Sequence, residues 1–213
     1  MSLLVGTSGW GYPSWQPGFY PAGLDRSEFL GFYASQLPAV ELNATKYRLP
    51  SEEQFRTWAS QVPDGFRFAV KAPDRIEQRL DAFEARVRAL GDRLGCVRVV
   101  VERPRDDGFL ELLLGSADPG IRYALDLRDP TWDGVEDRLR EAGAVRVDDR
   151  SGRGGWAYLR YRELQYGDAE LSRIAIELAD LEARGIETFA FFRHGDAPDA
   201  PAAAQRVADG VIL

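Results

Sequence analysis

Charged and amide side chains lie at the ends of four β-rich segments, where residues of these types could bind an anion or transfer a proton. In each segment apolar residues alternate with polar ones, so the polar side chains share one face of the strand. This polar set comprises Glu41, Asn43, Lys71, Asp126, Arg128, Arg160 and Arg162. Carboxylates and lysine serve as general acids or bases, and arginine binds phosphate and carboxylate groups through paired hydrogen bonds. The candidate catalytic residues are therefore Glu41, Lys71 and Asp126, and the candidate ligand-binding residues are Asn43, Arg128 and Arg160.

Eight β-rich runs could position these side chains, and they cover residues 3–6, 39–43, 66–71, 97–102, 123–128, 144–147, 156–161 and 187–192. Helical periodicity follows most of them, at 27–37, 51–62, 77–94, 108–114, 135–142, 169–184 and 202–208. This alternation favours an α/β fold, a single (β/α)8 TIM-barrel-like domain over residues 1–213, with a doubly wound open sheet as the alternative. The Gly-rich stretch 148–155 predicts a degenerate connection between the sixth and seventh strands. In a barrel the carboxyl ends of the strands meet at one mouth, where the active site lies.

Loops on the same side of the predicted barrel add hydroxyl, aromatic and imidazole groups. The further candidate ligand-binding residues are Thr7, Ser8, Trp10, Tyr12, Trp132 and His194. Flat aromatic rings could stack there on a base or a sugar. The alternative is that these loops pack their own rings as a lid or plug, and that His194 is a rim residue rather than a proton donor.

A ring of inward charges is costly to bury unless the charges are paired or hydrated. One interpretation is a self-paired network, in which Glu41 pairs with Lys71 and Asp126 with Arg128. The other is a wet pocket in which cations outnumber acids. Such a pocket would attract a small anion carrying phosphate or carboxylate.

Composition limits the chemistry and the partners. The 213 residues carry a net charge of −7, which disfavours nucleic acid and anionic membranes as partners. His194 is the only histidine and Cys96 the only cysteine, so two-histidine metal sites, thiolate zinc clusters and intrachain disulfides are excluded. We expect no metal and no cofactor. Because no basic leader precedes a long apolar run and no later stretch is apolar enough to span a bilayer, we expect a soluble cytoplasmic protein.

Three motifs carry a resemblance to a known family. They read Gly6-Thr7-Ser8-Gly9-Trp10, Val40-Glu41-x-Asn43-x-Thr45-x-Tyr47-Arg48 and Phe66-x-Phe68-x-x-Lys71-x-Pro73. Together they resemble the YecE-like family, also called domain of unknown function seventy-two, and the likeness continues more loosely at Asp126-Leu127-Arg128. The resemblance implies a TIM barrel and no established activity. Tyr47 and Arg48, within the second motif, join the candidate ligand-binding residues.

The chain departs from the family pattern at several positions near strand ends. Residues 160–163 read Arg-Tyr-Arg-Glu where the family tends to have Arg-x-His-Gly, and residues 191–194 read Phe-Phe-Arg-His where it tends to have Tyr-Phe-Asn-Asn. If the family is catalytic through one of the histidines that this chain lacks, this member has altered or lost that activity.

Three functions stay open on the sequence. The first is a metal-independent enzyme acting on, or a binder of, a small anionic ligand at the strand-end mouth. The second is a nucleic-acid-binding or phosphodiester-cleaving barrel, and the third is a non-catalytic binding or scaffold protein. Whether the protein is an enzyme stays open at this point.

Overall fold

Eight parallel strands form one sheet in the computed structural model, which describes residues 3–43, 49–195 and 197–210. They are β1 (Leu3–Thr7), β2 (Ala39–Leu42), β3 (Arg67–Lys71), β4 (Leu94–Val101), β5 (Tyr123–Leu127), β6 (Val145–Arg146), β7 (Trp156–Tyr161) and β8 (Glu187–Phe192). The strands lie in the order β6-β5-β4-β3-β2-β1-β8-β7. This order follows the chain around a ring and does not reverse at a switch point, as it would in a doubly wound sheet. The predicted α/β barrel is therefore confirmed.

Helices alternate with the strands. They are α1 (Phe29–Gln36), α2 (Glu52–Ser60), α3 (Leu80–Val87), α4 (Asp107–Ser116), α5 (Glu136–Glu141), α6 (Asp168–Ala183) and α7 (Asp199–Ala208). Side-chain caps mark two of their starts: Ser51 accepts a hydrogen bond from the backbone N–H of Gln54 at 3.2 Å, and Asp106 accepts one from that of Phe109 at 3.0 Å. Each cap satisfies a backbone N–H group that has no partner within its own helix.

The helix predicted over 77–94 is wrong as a single element. Its first residues lie in a 3-10 turn over Ile76–Gln78, which is followed by the α-helix α3, ending at Val87, and by a second 3-10 segment over Arg88–Arg93. Within that segment Gly91 has a φ of 55°, which glycine adopts without the steric cost that a side chain would add. Strand β4 then begins at Leu94, three residues earlier than its predicted start at 97.

Two hydrophobic cores lie on opposite faces of the sheet, as the alternation along the strands requires. Outward side chains such as Val97 and Val99 pack with the helices in the larger core. The smaller core fills the barrel and comprises Leu4, Ala39, Ala69, Cys96, Ala124, Val145, Val147, Trp156, Tyr158, Phe189 and Phe191. Its members on β2 to β5 are small, whereas β7 and β8 contribute four aromatic rings. The barrel interior is thus packed from one side, and polar side chains occupy the positions nearer the carboxyl ends of the strands.

The barrel is nearly closed, and Asp148 joins its two ends. Strand β6 has two residues and pairs with β5, whereas β7 pairs with β8. Between β6 and β7, the backbone N–H of Asp148 donates to the carbonyl oxygen of Tyr158 at 2.9 Å, and the Asp148 carboxylate accepts from the backbone N–H of Arg160 at 2.8 Å. The Asp148 side chain therefore replaces part of the backbone hydrogen-bond ladder that a longer β6 would form with β7. Asp148 adopts a φ of 68°, a left-handed conformation that aspartate tolerates better than most residues.

None of the helices in the described part of the chain is both long enough and apolar enough to cross a membrane.

Candidate functional site

Glu41 lies inside the barrel near the end of β2 and has no exposed surface. Its Oε2 accepts hydrogen bonds from Arg98 Nη1 at 3.1 Å and from the Tyr158 hydroxyl at 2.5 Å. Its Oε1 accepts one from the side-chain amide of Asn43 at 3.2 Å and lies 3.3 Å from Arg160 Nη2. Four side chains from β4, β7 and the end of β2 thus converge on one buried carboxylate.

Arg98 connects Glu41 to a second buried carboxylate. Its Nη1 donates to Glu41 and its Nη2 donates to Asp126 on β5, and the residue is only 1% exposed. A buried guanidinium between two carboxylates satisfies charges that would each be costly to bury alone. We name the group of Glu41, Arg98, Asp126 and Tyr158 the buried network.

The candidate residues inferred from the sequence did not include Arg98 or Tyr158, although the signal for both was present. In β4 the valines Val97 and Val99 face the helices, so alternation points Arg98 into the barrel. The same argument applies to Tyr158, which precedes the outward Leu159.

The buried network keeps its carboxylates ionised. Burial by itself raises the pKa of Glu41, but the charges of Arg98 and Arg160 and the hydrogen bonds from Tyr158 and Asn43 outweigh it and lower the pKa to about 2. Burial also raises the pKa of Asp126. The charge and hydrogen bond of Arg98, together with the charges of Arg128 and Arg162, outweigh this effect, so the pKa of Asp126 is lowered. A carboxylate with such a low pKa is a weak base, so this geometry suits Glu41 to holding Arg98 and Arg160 in place.

The low pKa of Glu41 predicts how stability depends on pH. Its ordinary value is 4.5, so the unfolded chain binds this proton more readily than the folded protein does. The contribution of the carboxylate to the free energy of unfolding is therefore complete above this ordinary value and is lost as the pH falls toward 2. We expect Glu41→Gln to lose less stability than the unaltered protein between about pH 5 and pH 2. Urea unfolding at a series of pH values measures this. If the free energy of unfolding falls equally steeply with decreasing pH in the two proteins, the prediction is contradicted.

Above the buried network lies a cavity of about 360 Å³ at the mouth of the barrel, which we name the anion cavity. The described residues that line it are Ser8, Asn43, Arg128, Arg160, Arg162, Arg193 and His194. They lie at or directly after the carboxyl ends of β1, β2, β5, β7 and β8. Four of these seven residues are arginines, and none of the seven is a carboxylate.

Three of the cavity arginines are held in place from below or from the side. Arg160 Nη2 donates to the Ser8 hydroxyl at 2.8 Å, and Arg128 Nη2 lies 3.6 Å from the Asp126 carboxylate. Arg162 Nη1 donates to Asp148 at 2.5 Å. Arg193 is exposed and forms no ion pair with any residue in the described ranges. Because these side chains are already held in place, less side-chain entropy would be lost when a ligand binds.

His194 lies on the wall of the anion cavity beside Tyr12. Its Nε2 is 2.7 Å from the Tyr12 hydroxyl, and the two rings stack with their centroids 4.1 Å apart. The Tyr12 hydroxyl also donates to the carbonyl oxygen of Ser8 at 3.2 Å. Burial, followed by the charge of Glu41, raises the pKa of Tyr12 to about 12, so this hydroxyl is neutral near pH 7. The pair thus brings exchangeable protons to the edge of the cavity.

Several residues singled out on the sequence lie away from the anion cavity. Thr7 faces α1, where its hydroxyl is 2.9 Å from that of Tyr33. Lys71 lines a separate cleft of about 240 Å³ with Glu102 and Arg103. Tyr47 and Arg48 lie outside the described residues.

The loop tryptophans are packed against the protein itself. Trp132 is fully buried and donates its indole N–H to the carbonyl oxygen of Arg103 at 2.9 Å. Trp10 makes an edge contact with Trp58, with their ring centroids 5.5 Å apart, and another with Phe68. Both rings therefore contact other parts of the protein, as expected in the alternative in which the loops pack their own rings.

The two interpretations of the charged ring describe different depths of the barrel. At the lower level the charges are paired, since Asp126 contacts Arg128 as the self-paired network requires, and Glu41 pairs with Arg98 and Arg160. At the upper level the cavity is polar and open. In the described part of the chain, no three side chains of histidine, cysteine, aspartate or glutamate are grouped in a way that could hold a metal ion.

Comparison with known proteins gives one consistent family. The model of a family described as "Protein of unknown function DUF72" matches residues 4–212. The UPF0759 protein YunF of Bacillus subtilis (strain 168) is 31% identical over 70 residues, which are 33% of this chain and 24% of that protein. The chain thus spans about a quarter of the length of this curated relative.

Solved structures of the same family share the fold. A DUF72 family protein from Thermotoga maritima MSB8 superimposes with a TM-score of 0.83 and 21% identity, covering 98% of each chain. A DUF72 family protein from Enterococcus faecalis V583 gives a TM-score of 0.80 and 15% identity, covering 99% of this chain and 96% of that one. At these identities the likeness establishes the architecture.

Proposed function

The chain belongs to the DUF72 family, which is described as a family of unknown function, and from its own geometry we propose that it binds a small molecule bearing phosphate or carboxylate in the anion cavity. The observation that carries this proposal is the lining of the cavity, in which four arginines meet without a carboxylate among the described residues. Guanidinium groups match phosphate and carboxylate geometry through paired hydrogen bonds. An anion would therefore be bound by several donors at once.

The position of the cavity supports the same proposal. In (β/α)8 barrels phosphate groups are frequently bound by the loops after the seventh and eighth strands. Here Arg160 and Arg162 come from the end of β7, and Arg193 and His194 follow β8. The overall charge of −7 would repel anions at long range, so the local arrangement must supply the attraction.

Catalysis by this protein is a further step of the proposal. Asp126 and Glu41 hold the arginines, and neither lines the anion cavity. The group best placed to exchange a proton with a bound anion is His194, supported by Tyr12. Glu41, Lys71 and Asp126 stay predicted catalytic residues.

Replacing Arg193 tests anion binding without disturbing the buried network. We expect Arg193→Met to weaken the binding of inorganic phosphate about tenfold, because one of four cavity cations is removed. Isothermal titration calorimetry at low ionic strength measures this, with acetate as the carboxylate ligand in a parallel series. Tighter binding of phosphate than of acetate would identify the preferred head group.

The matched control is Arg153→Met, since Arg153 is also exposed and lies outside the lining of the cavity. It removes the same charge and should change phosphate affinity by less than about twofold. If neither phosphate nor acetate binds the unaltered protein, or if both variants weaken binding equally, the proposed anion cavity is refuted.

A further inference from the structure

A second cavity of about 580 Å³ lies next to the anion cavity, over the gap between β6 and β7. We name it the seam cavity. Its described lining consists of Asp126, Leu127, Arg128, Glu136, Arg146, Val147, Asp148, Asp149 and Arg162. It exists because β6 is only two residues long, so that no full strand fills the space between β5 and β7.

The two cavities share Arg128 and Arg162 as a common wall. Both guanidinium groups reach the same carboxylate, since Arg128 Nη2 lies 3.6 Å and Arg162 Nη2 3.8 Å from oxygens of Asp126. Asp126 thus holds the two arginines side by side on the boundary. One molecule could therefore contact these arginines while occupying space on both sides of them.

The linings of the two cavities differ in charge. The anion cavity has arginines and no described carboxylate, whereas the seam cavity has four carboxylates and three arginines. Most of those carboxylates already face a cation: Glu136 Oε1 accepts from Arg146 Nη1 at 2.6 Å, and Asp148 accepts from Arg162. The seam cavity therefore has a lining of small net charge in which most acceptors lie beside a donor.

This pairing of acceptors with donors fits hydroxyl groups, because a hydroxyl donates one hydrogen bond and accepts others. A carboxylate beside a guanidinium can receive the hydrogen of one hydroxyl while the guanidinium donates to its neighbour. An ammonium group would find an excess of only one negative charge there, and an apolar group would leave the polar lining without partners.

Resting on the proposed function, we infer that the ligand of this protein is a phosphorylated sugar or polyol. Its phosphate lies in the anion cavity, its hydroxyl-bearing body lies in the seam cavity, and Arg128 and Arg162 contact the junction between them. The seam cavity is thus a specificity site that distinguishes such a molecule from free phosphate.

Calorimetric titration of the full chain with inorganic phosphate, ribose 5-phosphate and ribose tests this inference. Ribose 5-phosphate should bind at least about tenfold more tightly than inorganic phosphate, and ribose alone should bind much more weakly than either. Equal affinities for ribose 5-phosphate and inorganic phosphate would overturn the seam site and leave the anion cavity standing. No binding of either phosphate compound would overturn both proposals.

Variants in the seam cavity locate the sugar. Glu136→Gln should weaken ribose 5-phosphate about fivefold, because a neutral amide replaces a charged acceptor. Asp149→Asn is a second variant that can keep the hydrogen bond from the backbone N–H of Ser151, which Asp149 accepts at 2.8 Å. The matched control is Asp133→Asn, since Asp133 pairs with the same Arg146 at 3.1 Å but does not line the cavity. Unchanged affinity in both Glu136→Gln and Asp149→Asn, or an equal loss in Asp133→Asn, would refute the assignment.

Discussion

Replacing Arg98 with methionine is expected to lower the free energy of unfolding by about 3–5 kcal/mol. The change removes the cation that contacts both Glu41 and Asp126 and leaves two carboxylates in a site with almost no exposed surface. One of the two would then have to take up a proton or admit water, and each course costs stability. Urea unfolding near pH 7, followed by far-ultraviolet circular dichroism, measures the loss.

Two further variants distinguish lost charge pairing from lost packing. Arg56→Met removes an exposed helical ion pair with Glu52 and should cost less than about 0.5 kcal/mol. The triple variant Glu41→Gln, Arg98→Met, Asp126→Asn removes all three charges, so it should be more stable than Arg98→Met alone. If Arg98→Met is as stable as the unaltered protein, or if the triple variant is less stable than the single one, the buried network does not act as described.

Replacing Asp148 with alanine is expected to cost about 2–3 kcal/mol. Alanine cannot accept the hydrogen bonds that the backbone N–H of Arg160 and the guanidinium of Arg162 donate to Asp148. It also disfavours the left-handed φ of 68° found at this position. Hydrogen exchange at the Arg160 amide provides the specific readout, because this N–H should be protected in the unaltered protein and exchange faster in the variant.

Asparagine and glycine at position 148 distinguish the loss of the hydrogen-bond acceptor from the cost of the left-handed backbone. Asp148→Asn retains an oxygen acceptor and tolerates the left-handed conformation, so its loss of stability should be smaller than that of alanine. Asp148→Gly relieves the backbone but removes the acceptor, so the Arg160 amide should still exchange quickly. Slow exchange of this amide in both the alanine and glycine variants would show that Asp148 does not join the strands.

Strand alternation predicts which side chains point inward but not which of them pair. Glu41, Asp126 and Arg160 lie on the inner faces of their strands, as their apolar neighbours indicate. Chain order suggested Lys71, on the adjacent strand, as the partner of Glu41. In the structure Glu41 contacts Arg98 on β4 and Arg160 on β7, because inward side chains of this nearly closed barrel reach across its interior.

Other features depend on distances that a sequence pattern does not contain. The run of valines around Arg98 reads as a buried strand, and only the register of β4 against β3 and β5 places the guanidinium between two carboxylates. Arg193 and His194 follow β8 directly, but their approach to Ser8 requires that β8 lie beside β1. The break at Gly91 depends on a single φ angle within a segment of continuous helical periodicity.

The gap between β6 and β7 couples ligand binding to closure of the barrel in one thermodynamic cycle. Asp148 closes the barrel and its partner Arg162 lines both cavities, so the groups that complete the ring are also groups that a ligand would contact. A ligand that contacts both Arg128 and Arg162 would favour the closed ring, because its binding free energy would be added to the free energy of closing the ring. By the same linkage, any change that loosens the ring lowers the apparent affinity, even when it leaves every contact residue in place.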